Sequence, residues 1–161
     1  MPPRHRPASR LTRSPRPAPS PIPISPGNWS IADLPGLDPD LAAHLTQRGI
    51  RSTQDLLNYC STDRAILSLA QDLHLAKHHI RKWVALADLA RVPGVGCTYA
   101  GTLLHAGIAS VEQLAVLPIH RLHPQLVRLF VATTQRRDLC PDRAIVTDWI
   151  TAARSLIRRS I

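Results

Sequence analysis

Val92-Pro93-Gly94-Val95-Gly96 is the stretch of this chain best suited to touch another molecule with its backbone. Glycines let a chain turn sharply and approach a surface with no side chain in the way. If a helix follows, its first amides lack partners within the helix, and the helix dipole adds partial positive charge there. Such a site accepts a phosphate oxygen whatever base it belongs to. Contacts of that kind fix position and carry no sequence information. Arg91, Thr98 and Thr102 stand close enough in sequence to assist Gly94, Val95 and Gly96. A second group of cations, Lys77, Arg81 and Lys82, crowds with His78 and His79 onto the first turns of an expected helix from about Ala76 to Arg91. Cations there oppose the dipole by about 0.3–1 kcal/mol each, which suits an anionic partner. Asp72 and Asp88 are the acids placed to neutralise them, and a merely solvated face is the other reading.

The same turn occurs earlier. Residues 31–56 recur 58 positions later as residues 89–114, with nine of 26 positions identical. Leu34-Pro35-Gly36-Leu37 falls on Val92-Pro93-Gly94-Val95, Gly49-Ile50 on Gly107-Ile108, and Leu56 on Leu114. A period of this length marks a duplicated supersecondary unit, and each unit reads as a helix-hairpin-helix. The copies differ where it matters: Asp38 and Pro39 stand where the second copy has Gly96 and Cys97. A carboxylate there repels phosphate and the proline removes an amide. The second hairpin is therefore the expected binder and the first the structural one.

Helix signals fill the rest of the body. Asp38-Pro39, Ser52, Ser61 or Thr62, Ser110, His123-Pro124 and Asp142 read as helix starts, and Gly49 and Gly107 as stops. Strand-like alternation is nearly absent. Trp83-Val84 with Ala87 resembles Trp149-Ile150 with Ala153, now 66 apart, so some eight extra residues are expected near Arg121 to Arg137. The expected fold is all-α: two tandem helix-hairpin-helix repeats, about residues 31–88 and 89–156, packed as one domain over 28–161. Trp29, Trp83 and Trp149 are expected core anchors.

Composition narrows the function. The first 27 residues hold nine prolines, five arginines and no acid, the composition of a disordered tail. From Asn28 on there are 15 Lys/Arg against 11 Asp/Glu, so the net charge of +9 is spread over tail and body. That balance suits nucleic acid or another acidic partner, and equally simple solubility. No apolar run approaches the roughly 20 residues of a membrane helix, and no secretory apolar core opens the chain. Three scattered cysteines, Cys60, Cys97 and Cys140, point to reduced thiols and a cytoplasmic location, and fit no zinc spacing. His74 with His78 and His120 with His123 lack further ligands, so no metal or cofactor is expected. No nucleophile, paired carboxylates or phosphate-loop lysine stand in a catalytic arrangement, which argues against an enzyme.

The body also resembles a family of bacterial proteins, the domain of unknown function 4332. The likeness runs from about Ile31 to Leu156, through both Pro-Gly turns, Trp83-Val84 with Ala87-Asp88-Leu89, Tyr99-Ala100, and Val146 with Trp149-Ile150. It implies tandem helix-hairpin-helix repeats. Hairpins of that type in repair, competence and polymerase proteins bind DNA without sequence preference, which is an analogy of motif.

The reading that follows is non-enzymatic, sequence-independent binding of nucleic acid, duplex DNA ahead of RNA, through the second hairpin. It predicts that Gly96→Asp weakens binding. The alternative is a protein-interaction adaptor, with a helical scaffold and a Pro-x-x-Pro-like spacing at Pro23 to Pro26 as the docking segment.

Overall fold

The structure, a computed structural model, describes residues 24–160. Most of the Pro/Arg-rich tail therefore lies outside the described residues. Residues 24–27, assigned to that tail from sequence, form a tight turn in which the Ile24 amide donates to the Asn28 carbonyl. Gly27 packs directly on the Arg91 backbone.

The regular structure among the described residues is helical, in agreement with the expected all-α class, with two isolated β-bridges besides. A single 3-10 turn, Ile31–Asp33, precedes α1 (Pro39–Gln47), α2 (Thr53–Tyr59), α3 (Asp63–Asp72) and α4 (Lys77–Ala90). Then come α5 (Gly96–His105), α6 (Val111–Val116), α7 (Ile119–Thr134), a second 3-10 turn and α8 (Arg143–Arg159). The starts follow local chemistry. Asp38, Ser52, Thr62, Ser110 and Asp142 each accept a hydrogen bond from an amide of the helix they begin. An N-cap of this kind stabilises a helix by about 1 kcal/mol. At α2 the Asp55 carboxylate also accepts from the Ser52 amide, completing a capping box.

Shifting α1 and α2 by 58 residues lands them on α5 and α6. Helices α2 and α3 pack on α4, α6 and α7 pack on α8, and α5 joins the halves by touching both α4 and α7. Their meeting faces build one continuous core, with Leu45, Leu56, Leu69, Ile80, Leu103, Leu114, Leu122 and Ala153 fully buried.

One expected start is misplaced. His123-Pro124 does not open α7; the helix begins at Ile119 and Pro124 lies inside it. An interior proline costs about 3 kcal/mol in lost bonding and clash. Leu122 and Leu126, both completely buried, flank it and hold that turn in register, so tertiary burial outweighs the local signal. The added length of the second half sits in α7, which has 16 residues against ten in α3, and in the 3-10 turn Arg137–Leu139.

Trp83 and Trp149 are buried as expected, but Trp29 has a different task. Its backbone pairs with the start of α2, the Thr53 amide donating to the Trp29 carbonyl at 2.8 Å. Its indole Nε1 donates to the Ala90 carbonyl at the end of α4, at 2.9 Å. Residues 28–31 thus form a strap from α2 to the turn between α4 and α5.

Candidate nucleic-acid interface

The turn after α4 is made by Val92, Pro93, Gly94 and Val95. Val92 and Val95 are buried and anchor it, while Pro93 and Gly94 stand in solvent. Gly94 and Gly96 have φ of +86° and +52°, a region that side chains rarely enter. Both glycines lie against indoles. A Cβ on Gly94 would sit 3.0 Å from Trp149 Nε1, and one on Gly96 would sit 2.5 Å from Trp29 Cζ2.

Helix α5 begins with no side-chain cap. The Val95 and Gly96 amides turn back to the Val92 carbonyl, at 3.1 and 3.4 Å. Among the described residues the amides of Gly94, Cys97 and Thr98 have no acceptor. Gly94 and Thr98 face solvent, whereas Gly96 and Cys97 are buried. The open part of the helix start is therefore narrower than the sequence implied. Burial pushes the Cys97 thiol up to about 12, and the charge of Asp33 adds to the rise. Burial likewise lifts Cys60 to about 11, so neither is a thiolate at neutral pH.

The first turn is finished differently. Asp38 Oδ1 accepts from the Asp40 amide at 2.8 Å, and Pro39 occupies the first helical position. This helix start is already filled by its own carboxylate. Helices α4 and α7 also begin without a side-chain cap, but they carry no glycine turn in front.

The cations expected to assist are arranged unevenly. Arg91 Nε is held by Asp88 Oδ1 at 2.8 Å, and Asp88 Oδ2 accepts from the Val111 amide at 2.9 Å, so Asp88 braces α4 against α6 and ties Arg91 down. Lys77 and Arg81 both bind Asp63 of α3, at 2.7 and 2.9 Å. Those two hydrogen bonds, from Lys77 first and then Arg81, hold the Asp63 carboxyl below the usual range. The sequence pointed to Asp72 and Asp88 for that role. Asp72 instead pairs with Arg48, and the true partner lies 14 residues upstream of Lys77. Lys82 points elsewhere, with its ammonium near Gly36 of the first turn. Thr102, half-buried one turn after Thr98, lines a groove between α5 and α7. The structure thus gathers Gly94, Val95, Gly96, Thr98 and Thr102 at one end and along one side of α5. It places Lys77 and Arg81 on a separate, internally neutralised patch.

Trp149 Nε1 is the buried side-chain nitrogen without a partner among the described residues. An orphaned donor costs about 1–3 kcal/mol, which its removal recovers. Trp149→Phe is therefore expected to change stability by less than about 1 kcal/mol, the relieved donor offsetting lost packing. Trp29→Phe leaves the Ala90 carbonyl unbonded and should cost more, although Trp29 is the more exposed. Urea midpoints of the two variants decide the order.

Comparison with known families places most of the body in a described family. The family described as Domain of unknown function (DUF4332) matches residues 35–156. No curated protein and no solved structure matches the chain.

Proposed function

The chain belongs to the family described as domain of unknown function (DUF4332), and from that premise we propose that it binds nucleic acid, duplex DNA first, without sequence preference and without catalysis. In this reading α4, the turn and α5 act as a helix-hairpin-helix, and the start of α5 receives a backbone phosphate. One observation carries the proposal. Two related turns each lead into a helix; in the first Asp38 caps the helix start, and in the second Gly96 lies against Trp29 and the solvent-facing Gly94 and Thr98 amides have no side-chain acceptor among the described residues. An uncapped helix start with free amides and a favourable dipole takes an oxyanion. Thr98 adds a hydroxyl beside those amides, and Gly94 permits close approach. The net charge of +9 supplies the diffuse attraction that brings a polyanion near.

Lys77 and Arg81 have a lesser part, because Asp63 holds them. Arg91 acts on the shape of the turn through Asp88. A mobility-shift titration of the full chain with duplexes of unrelated sequence tests the reading. Affinity should be equal across sequences and fall roughly a hundredfold between about 50 and about 200 mM salt, for about four phosphates neutralised. Absence of binding at low salt, or affinity indifferent to salt, removes the proposal.

A further inference from the structure

Two cavities meet at His105 on the side of α5. The first, about 120 Å³, lies between the first turn and the α4–α5 pair, and Pro35, Gly36, Lys82 and His105 line it. Its ionisable lining residues are both bases. Lys82 joins no ion pair among the described residues, unlike its neighbours Lys77 and Arg81. Its ammonium rests beside Gly36, where a Cβ would lie 3.9 Å from Lys82 Nζ. The His105 ring is held by its Nδ1, 2.8 Å from the Gly101 carbonyl.

The second cavity, about 220 Å³, runs between α5 and α7 and is walled by Leu129 and Phe130. At about 30 Å³ per water, that is room for a planar ring system. Polar groups are few and placed at its rim. Thr133 and Thr134 donate their hydroxyls to the Leu129 and Phe130 carbonyls; the Thr134 oxygen already accepts from the Arg136 amide at 3.2 Å, and the Thr133 oxygen is left to accept. The Thr102 hydroxyl has no partner among the described residues.

A basic pocket beside an apolar one with an aromatic wall, the two sharing His105, is complementary to a single nucleotide, phosphate at one end and base at the other. We infer that this cleft receives one unpaired nucleotide of a nucleic acid whose duplex part rests on the second turn. Lys82 meets its phosphate and Phe130 the face of its base. The inference rests on the nucleic-acid reading above and narrows it to duplexes with an unpaired residue. The two sites are continuous along α5, since Thr98, Thr102 and His105 follow at spacings of four and three on one helix face. At 1.5 Å per residue, His105 lies about 13 Å beyond Gly96, or about four base steps of 3.4 Å.

Fluorescence anisotropy of the full chain tests it with three probes: a blunt duplex, the same duplex with one unpaired adenine in either polarity, and the same overhang made abasic. The adenine overhang should bind roughly tenfold tighter than the blunt duplex, as one base–aromatic contact provides. The abasic overhang should lose most of that gain. Phe130→Leu, which keeps the apolar volume, should close the gap to less than about threefold, and Lys82→Gln should reduce overhang binding several-fold. Equal affinity for blunt and overhung duplexes overturns the inference and leaves duplex binding standing. So does a preference unchanged in Phe130→Leu. Failure to bind any of the three overturns both.

Discussion

Gly96→Ala should destabilise the protein by about 3 kcal/mol, far beyond an ordinary glycine replacement. Two costs combine. At φ +52° a side chain strains the backbone by roughly 1–2 kcal/mol. The new methyl also meets Trp29 Cζ2 at 2.5 Å, and overpacking of that order typically costs about 1–3 kcal/mol. Trp29 has little room to yield, because its indole is bonded to Ala90 and its backbone to Thr53. Gly107 provides the comparison. Its φ is +88° with nothing within 4 Å of a Cβ, so Gly107→Ala should cost only about 1 kcal/mol. Adding Trp29→Ala to Gly96→Ala should give less than the sum of the two single effects. Denaturant midpoints of the four proteins measure this, and strict additivity refutes the contact. It follows that Gly96→Asp is a poor test of phosphate binding, since it disturbs the strap before it reaches any ligand.

Thr98→Asp is the cleaner test, and its two effects should have opposite signs. Thr98 is exposed and is the third residue of α5, where a carboxylate complements the helix dipole. Thermal stability should hold or rise, by about 0.3–1 kcal/mol. Duplex affinity should fall, because the new carboxylate takes up the amides as Asp38 does in the first turn. Loss of a charge-assisted contact worth about 1.5–3 kcal/mol corresponds to a roughly 10- to 150-fold weaker complex. A variant that binds as well as the parent would show that the phosphate lies elsewhere. A variant that fails to bind and also unfolds would contradict the assigned exposure.

Local signals in the sequence located most of the helices. Asp38-Pro39, Ser52, Thr62, Ser110 and Asp142 act within three residues of where they stand, so their effect can be read in place. Pro124 misled for the same reason: its local preference is plain, but burial of Leu122 and Leu126 decides the outcome. The candidate site was legible as a position and not as a shape. Nothing near Gly96 announces Trp29, which is 67 residues away, nor does anything near Lys77 announce Asp63. Lys82 was grouped with Lys77 and Arg81 by adjacency, yet one step around a helix turns a side chain by about 100°. That step separates a neutralised patch from an open cleft.

The strap over the second turn sets a condition for anyone wishing to transplant it. Grafted onto a new scaffold as α4, turn and α5 alone, the motif would leave the Ala90 carbonyl bare and Gly96 beneath empty space. Its geometry is held from outside by an indole that belongs, in sequence, to the opposite half of the chain. A portable version has to bring residues 28–31 with it, or supply another flat donor in their place.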